Sequence, residues 1–170
     1  MNKTLAIRIV IYLVAISLVS MFLWALLKYK EDRHAIATLP AIESETLWGD
    51  YFDSSRTLNN RMRTAILFFH PECEFCTVEL NGIIKRHNEC RDVFWIFVTL
   101  ANPNEIQELL IDCPIDAISN SVILYEDTPK LHSLFDVKGP PALFIYDYDN
   151  KLIKEYRGAI SIDTIIMDLK

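Results

Sequence analysis

Residues 65–76 read AILFFHPECEFC, and this stretch decides how the rest of the chain is interpreted. Its first five residues form an apolar run of strand length, which is typical of a strand covered on both faces of a sheet. His70 and Pro71 end the run, and Cys73 and Cys76 follow with the spacing C-x-x-C. The sequence therefore predicts a buried strand that leads directly into a cysteine pair.

The residues after Cys73 repeat with the period of an amphipathic helix. The predicted inward side consists of Leu80, Ile83, Ile84 and His87, and the predicted outward side of Glu79, Lys85 and Arg86. A C-x-x-C spacing at a helix start brings two sulfurs within bonding reach and aims unpaired N–H groups at the first sulfur. These groups favour the thiolate, so we expect Cys73 to be the nucleophile and the shielded Cys76 to be the resolving cysteine.

Three polar residues flank the cysteine pair. Glu72 and Glu74 place carboxylates beside Cys73, where they oppose a thiolate and make the dithiol a better electron donor. His70 has two interpretations: its ring turns toward the sulfur and tunes it, or it forms a local hydrogen bond at the strand end, which is commoner. We expect the site to be tuned toward reduction.

Strands and helices alternate along the chain downstream of the cysteine pair. Helix starts are predicted at Asn102-Pro103, at Thr128-Pro129 and at Ser161, each a capping residue before a periodic apolar pattern. The order is that of an α/β protein that ends in a hairpin and a helix. The predicted strands after the first one are residues 93–100, 121–125, 142–146 and 152–156.

The sequence resembles the thioredoxin fold in two features. It has a strand followed by C-x-x-C at a helix start, and a distant Gly139-Pro140-Pro141 that precedes another strand. The resemblance covers residues 64–170 and implies a three-layer α/β/α domain with a central mixed sheet. It also implies that Pro141 is a cis-proline opposite the cysteines, with Pro140 in the position usually held by Val or Thr. Pro141 would line the substrate groove and offer its backbone to an extended peptide.

Within that fold the chain is similar to the membrane-anchored, extracytoplasmic group of the TlpA and ResA proteins, which work in cytochrome c maturation and in related reduction of disulfides to thiols. Glu74 matches the C-E-P-C form of that group, whereas Phe75 replaces its Pro and Glu72 replaces its usual Trp. Peroxiredoxins need a Pro-x-x-x-Thr/Ser-x-x-Cys arrangement, and counting from Pro71 places Phe75 and Val78 at those positions. Peroxide reduction is therefore not expected.

Residues 9–27 form an uncharged apolar run that spans about 28 Å as a helix, close to the thickness of a bilayer's hydrocarbon core. The run ends in bulky residues and not in a small-residue cleavage site, so we expect an uncleaved anchor that contacts membrane lipid. Cations flank both ends and leave the orientation open. The expected organisation is an anchor at residues 1–33, a linker at 34–45 and a thioredoxin-like domain at 46–170, extracytoplasmic (periplasmic) by resemblance.

The remaining cysteines, Cys90 and Cys113, leave alternatives open. They are buried free thiols, a second disulfide, a relay pair, or zinc ligands together with His87 and the C-x-x-C cysteines. Zinc is disfavoured because a helix would separate Cys76 and His87 by about 16 Å along its axis. A further alternative is a scaffold module in which the cysteine pair is a static disulfide.

Charge excludes one class of partner. Residues 34–170 carry twelve Lys and Arg against twenty-one Asp and Glu, and an acidic domain of this kind is not suited to nucleic acid. The expected partners are a disulfide-containing protein substrate and a membrane electron donor protein that recharges the dithiol. The only expected redox group is the Cys73–Cys76 disulfide itself, without a further cofactor or metal.

Overall fold

A computed structural model of the protein describes residues 3–58 and 62–169. Parts of the predicted anchor and domain, at residues 1–2, 59–61 and 170, lie outside the described residues. The chain divides into two compact units, residues 1–35 and residues 36–170.

The first unit is a single helix, α1 (Lys3–Ala35). Within it, Ile11–Lys28 is long and apolar enough to cross a membrane, and none of these side chains is buried by protein. A helix of this kind cannot draw stability in water from packing its apolar side chains against a core, because they face outward on all sides. It is therefore a candidate membrane span.

The second unit contains a five-stranded sheet with helices on both faces. The strand order is β5-β4-β3-β6-β7, in which β3 pairs parallel with β4 and antiparallel with β6. A separate two-stranded ribbon joins β1 and β2. The strands are β1 (Glu43–Glu45), β2 (Tyr51–Asp53), β3 (Arg63–Phe68), β4 (Val93–Thr99), β5 (Ser121–Tyr125), β6 (Ala142–Tyr146) and β7 (Leu152–Arg157). The helices are α2 (Ser54–Thr57), α3 (Glu74–Arg86), α4 (Pro103–Asp112), α5 (Lys130–Leu134) and α6 (Ile162–Asp168), with 3-10 turns at His87–Glu89 and Ile115–Ala117.

Strand β3 lies at the centre of this sheet, between β4 and β6. The apolar runs of β3 and β6 are covered on both faces. One face packs against α3, α4 and α6 through residues such as Ile83, Ile106 and Ile165. The other face packs against α5 and the segment that precedes β1, through residues such as Ile42 and Phe135. The predicted α/β architecture with a central mixed sheet is confirmed.

Two predicted helix caps are also confirmed. The Asn102 side chain accepts hydrogen bonds from the N–H groups of Asn104 and Glu105 at the start of α4. Ser161 caps α6 by accepting a hydrogen bond from the Thr164 N–H at 3.3 Å. Local capping chemistry therefore fixes where both helices begin.

The predicted linker is largely folded onto the domain. We call residues 36–47 the strap. Ile36 and Ile42 are 3% and 0% exposed, because their apolar side chains fill the sheet face that α5 leaves open. The Leu39 N–H donates to the Asn150 carbonyl at 2.7 Å, and the Leu47 N–H to the Ile123 carbonyl at 2.9 Å. The compact unit thus begins at residue 36 and not at residue 46.

Two further expectations differ from the structure. Glu79, expected on the solvent side of α3, is 3% exposed because it lies on the same side as Cys76 and Ile83. Helix α5, expected to be capped at Thr128-Pro129, has no side-chain cap from these residues. The carboxylate of Glu126 accepts its first N–H groups instead, from Leu131 at 2.7 Å and His132 at 3.4 Å.

Candidate active site

Cys73 occupies the N-cap position of α3, directly beyond the end of β3. Its sulfur accepts a hydrogen bond from the Cys76 N–H, with a nitrogen–sulfur distance of 3.2 Å. The turn that holds it is closed by the Cys73 N–H, which donates to the His70 carbonyl at 3.0 Å. Cys73 is partly exposed. The sulfur is thus accessible and lies where unpaired helix N–H groups favour negative charge.

Cys76 lies one turn into the helix and is fully buried. Burial raises the pKa of its thiol well above the usual value, and the interactions with Cys73 and Glu79 raise it further. The two cysteines therefore have distinct environments, one open and one enclosed. Such a difference suits a nucleophile and a resolving thiol, provided that a base can remove the proton from Cys76.

Glu79 lies three residues after Cys76 and is enclosed by protein. Neither carboxylate oxygen has a hydrogen-bond partner within residues 3–58 and 62–169. Burial raises the pKa of this carboxyl to about 7, and the nearby backbone N–H of Ile160 lowers it only in part. Its charge raises the pKa of the nearby Cys76 thiol, so the protonation states of the two buried groups depend on each other.

The peptide bond between Pro140 and Pro141 is cis, and it faces the cysteines. The Pro140 carbonyl oxygen lies 3.9 Å from the Cys73 sulfur. Pro141 is buried, and its carbonyl accepts a hydrogen bond from the Gly158 N–H at 2.9 Å. The carbonyl of the exposed Pro140 is therefore the one that faces the Cys73 sulfur, whereas the Pro141 carbonyl, which the resemblance offered to a substrate, is occupied by Gly158.

The other predicted site residues surround this centre. The His70 ring forms a local bond, since its Nδ1 accepts the Glu72 N–H at 3.3 Å, which is the commoner of the two interpretations. Glu72 and Glu74 are exposed. Phe75, between the two cysteines, is 68% exposed and gives the surface beside Cys73 an apolar character.

Cys90 and Cys113 belong to the buried cluster on the α3 face of the sheet, which also includes Cys76. Burial raises the pKa of the Cys113 thiol to about 11, so it stays protonated at neutral pH. His87 bonds to the Ile84 carbonyl through its Nδ1 at 2.7 Å. Among the described residues no group of three or more His, Cys, Asp or Glu is arranged to hold a metal ion.

Two features were missed by sequence reasoning. Glu79 was identifiable by counting from Cys76, because positions i, i+3 and i+7 place Cys76, Glu79 and Ile83 on one side of the helix. The pairing of Glu126 with His132 had no comparable local pattern, because the two residues are six apart and joined across a loop. Glu79 acts on Cys76 electrostatically, and Glu126 contacts His132, which lines a cavity together with His70 and Pro140.

Comparisons with known proteins agree with this architecture. No family model matches the chain, and no curated protein matches it by sequence. A secreted disulfide oxidoreductase of Mycobacterium tuberculosis, homologous to E. coli DsbE, is similar with a TM-score of 0.66 and 18% identity over 76% of this chain and 94% of that one. StoA from Bacillus subtilis is similar with a TM-score of 0.62 and 14% identity over 79% of this chain and 99% of that one.

A protein named for a different chemistry is also similar. The peroxidoxin BcpB of M. tuberculosis has a TM-score of 0.65 and 15% identity over 78% of this chain and 93% of that one. At these identities the likeness shows the fold, which is thioredoxin-like. Because one fold supports several reactions, the activity has to be argued from the site.

Proposed function

We propose that the protein is a thiol-disulfide oxidoreductase that reduces disulfides in protein substrates through Cys73 and Cys76. The supporting observation is the position of the Cys73 sulfur, which lies between the Cys76 N–H and the Pro140 carbonyl with the buried Cys76 behind it. An accessible sulfur at a helix N-terminus with a protected second thiol is suited to disulfide exchange. The thioredoxin-like fold is consistent with this chemistry.

The reaction proceeds in two exchange steps. The Cys73 thiolate attacks one sulfur of the substrate disulfide, so that a mixed disulfide forms and the other substrate sulfur leaves as a thiolate. The Cys76 thiol then loses its proton and attacks the Cys73 sulfur, which releases the second substrate thiolate and forms the Cys73–Cys76 disulfide. Two electrons from a membrane donor protein return the pair to its reduced form.

Glu79 supports the second step. The pKa of the Cys76 thiol is raised by burial, so the thiol needs a nearby acceptor before it can attack. The Glu79 carboxyl, whose pKa burial raises to about 7, is close enough to influence Cys76 electrostatically. It takes the proton when Cys76 reacts and returns a proton when the dithiol is regenerated.

The proposed direction of electron flow rests on the charges around Cys73. Glu72 and Glu74 are exposed carboxylates that disfavour a neighbouring thiolate. The reduced pair contains that thiolate and the disulfide does not, so the carboxylates favour release of electrons. This direction suits a reductant of substrate disulfides.

Helix α1 is proposed to anchor the domain in a membrane. Its apolar side chains at Ile11–Lys28 are not covered by protein, which suits contact with lipid. We propose an extracytoplasmic position for the domain, because disulfides persist there and require a supplied reductant. Protease added to intact cells should cleave the domain if it is outside, and should spare it if the orientation is the reverse.

The decisive experiment is to trap the mixed disulfide. The full chain carrying Cys76→Ser should accumulate covalent complexes with substrate proteins, which disappear on reduction and are absent from Cys73→Ser/Cys76→Ser. Cys113→Ser is a matched control, because this thiol is buried at the C-terminal end of α4, outside the C-x-x-C motif, and its substitution should leave exchange in place. Unchanged partner binding without any covalent complex would favour the scaffold function over exchange.

A further inference from the structure

A cavity of about 310 Å³ opens beside the candidate active site, and we call it the Pro140 pocket. Its lining includes His70 and Pro140 on the Cys73 side and Leu100, His132 and Val137 farther away. The volume is at the low end of the range for small-molecule sites, so it suits one large side chain. Because the Pro140 carbonyl lies 3.9 Å from the Cys73 sulfur, the pocket adjoins the position of a substrate disulfide.

The two prolines leave few main-chain groups for a substrate. Neither Pro140 nor Pro141 has an N–H, and the Pro141 carbonyl is already bonded to the Gly158 N–H at 2.9 Å. An extended peptide beside Cys73 can therefore donate to the Pro140 carbonyl but receives no N–H from either proline. Recognition of a peptide here therefore depends more on its side chains than in a site that offers the peptide both a main-chain N–H and a main-chain carbonyl.

A buried carboxylate fixes the orientation of one ring in the pocket. Glu126 is 6% exposed, and its Oε2 bonds to Nδ1 of His132 at 2.8 Å. The same carboxylate accepts the N–H groups of Leu131 and His132, so it is held in place from three directions. The edge of the ring packs against Phe68 at a centroid distance of 4.8 Å. The His132 ring is thus held between a carboxylate and an aromatic face.

This arrangement determines what His132 offers to a ligand. The Glu126 carboxylate accepts three hydrogen bonds, and it can accept the third only if Nδ1 of His132 carries a proton. The neutral His132 ring then has no proton on Nε2. Nε2 has no hydrogen-bond partner within the described part of the chain, and it is not enclosed. The other charges on the pocket lining are Asp136 and Lys138, which pair with each other. A neutral His132 ring therefore presents a hydrogen-bond acceptor, Nε2, to the pocket.

We propose that the Pro140 pocket receives a side chain of the substrate polypeptide that lies within a few residues of the target disulfide, and that His132 accepts a hydrogen bond from it. The matching side chain is largely apolar with a hydroxyl donor at its tip, as in tyrosine, because the rest of the wall includes Leu100, Val137 and Pro140. This inference rests on the proposed function and adds the class of substrate. Glu126 is a positioning residue, since it acts through the His132 ring.

The test uses the full chain in detergent micelles and synthetic peptides that contain one disulfide. Tyrosine is moved through the three positions on each side of the reactive cysteine, and a matched set carries phenylalanine at the same positions. We expect tyrosine to exceed phenylalanine in kcat/KM by about 3- to 10-fold at one position, the range for a single hydrogen bond. His132→Phe should bring that ratio to about 1. His87→Phe is the control, and it should keep the ratio because His87 lies outside the pocket.

The outcomes separate this inference from the proposed function. A small aromatic disulfide reagent that reacts through Cys73 of the wild-type chain shows exchange without use of the pocket. If the reagent reacts but tyrosine and phenylalanine peptides are equal at every position, the pocket assignment is wrong and the exchange function stands. A tyrosine preference that survives His132→Phe also overturns it. If the reagent does not react at Cys73, the proposed function fails and the inference fails with it.

Discussion

The two buried glutamates near the candidate active site, Glu79 and Glu126, have opposite environments. Both are almost fully enclosed, with exposures of 3% and 6%. The Glu126 carboxylate accepts two backbone N–H groups and contacts the ring of His132, whereas the Glu79 carboxylate has no hydrogen-bond partner among the described residues. The two side chains are thus buried to a similar extent, and they differ in the hydrogen-bond donors that surround them.

The difference shows how one chain assigns different roles to the same side chain. A carboxylate with several donors is a fixed structural element, because removing its charge would leave those donors unpaired. A carboxylate without donors gains by taking up a proton, and the pKa of Glu79 is accordingly raised to about 7. Glu126 is suited to hold the His132 ring, and Glu79 is suited to exchange a proton with Cys76.

The largest expected effect comes from removing the donor-rich glutamate. Glu126→Leu should destabilise the domain by about 3 kcal/mol, because the buried N–H of Leu131 and the His132 ring both lose a charged partner. Urea unfolding of the full chain in detergent micelles, followed by circular dichroism, measures the change. Glu79→Leu at pH 8 is the matched control, and it should cause no comparable loss because burial disfavours the charged carboxylate and the Ile160 N–H offsets this only in part. Equal losses for both variants would contradict the contrast between the two sites.

The second effect is the pH dependence of stability that Glu79 introduces. Its pKa is raised from 4.5 to about 7 in the folded protein, so the folded state binds more protons than the unfolded state between these values. Stability therefore falls as pH rises from about 4.5 through about 7, by up to about 3 kcal/mol. Glu79→Gln should remove this pH-dependent part of the free energy of unfolding.

Unfolding free energies at pH 5 and pH 8 provide the measurement for Glu79. The wild-type chain should lose more stability between these pH values than Glu79→Gln, and the difference isolates this carboxyl from other titrating groups. Parallel pH profiles for the two proteins would show that Glu79 does not titrate in this range.

The third effect concerns the rate of the resolving step. Glu79→Gln should slow reduction of a peptide disulfide by about 10-fold, because Cys76 then lacks its nearby proton acceptor. In the wild type the rate should rise with pH through about 7, as the Glu79 carboxyl ionises, and this inflection should vanish in the variant. Single-turnover release of substrate from the mixed disulfide measures it. An inflection that persists in Glu79→Gln would assign it to another group.

The smallest effect is expected at the exposed carboxylates beside Cys73. Removing both charges with Glu72→Gln/Glu74→Gln should make the reduction potential less negative by about 10 mV, since exposed charges interact weakly in water. Equilibration with a glutathione redox buffer measures this shift, and it should shrink at high salt. A shift toward a more negative potential would show that the carboxylates act in the opposite sense.

Much of the fold was predictable because apolar runs and caps are local features. The strands at residues 121–125 and 142–146 have the bounds that the pattern indicated, and Asn102 and Ser161 begin their helices as expected. The position of Cys73 at the start of α3 was also predictable, since C-x-x-C after a buried strand defines it locally. Features of this kind depend on neighbours in the sequence.

The remainder depended on contacts between distant residues. The cap of α5 comes from Glu126, which lies before the loop and reaches over Thr128 to the helix N–H groups. The Pro141 carbonyl is occupied by the Gly158 N–H, and this bond is set by the pairing of β6 with β7. No local pattern contains these pairings.

The strap gives the domain a property that concerns its association with other molecules. At one end Thr38 bridges to Lys151 beside β7, and at the other Thr46 bridges to Leu124 of β5. These are the two outermost strands of the sheet, whose open backbone groups would otherwise be available for pairing with a second molecule. The same short segment thus shields parts of both borders from edge-to-edge aggregation, and a soluble version that starts at residue 46 would lose the bridge beside β7.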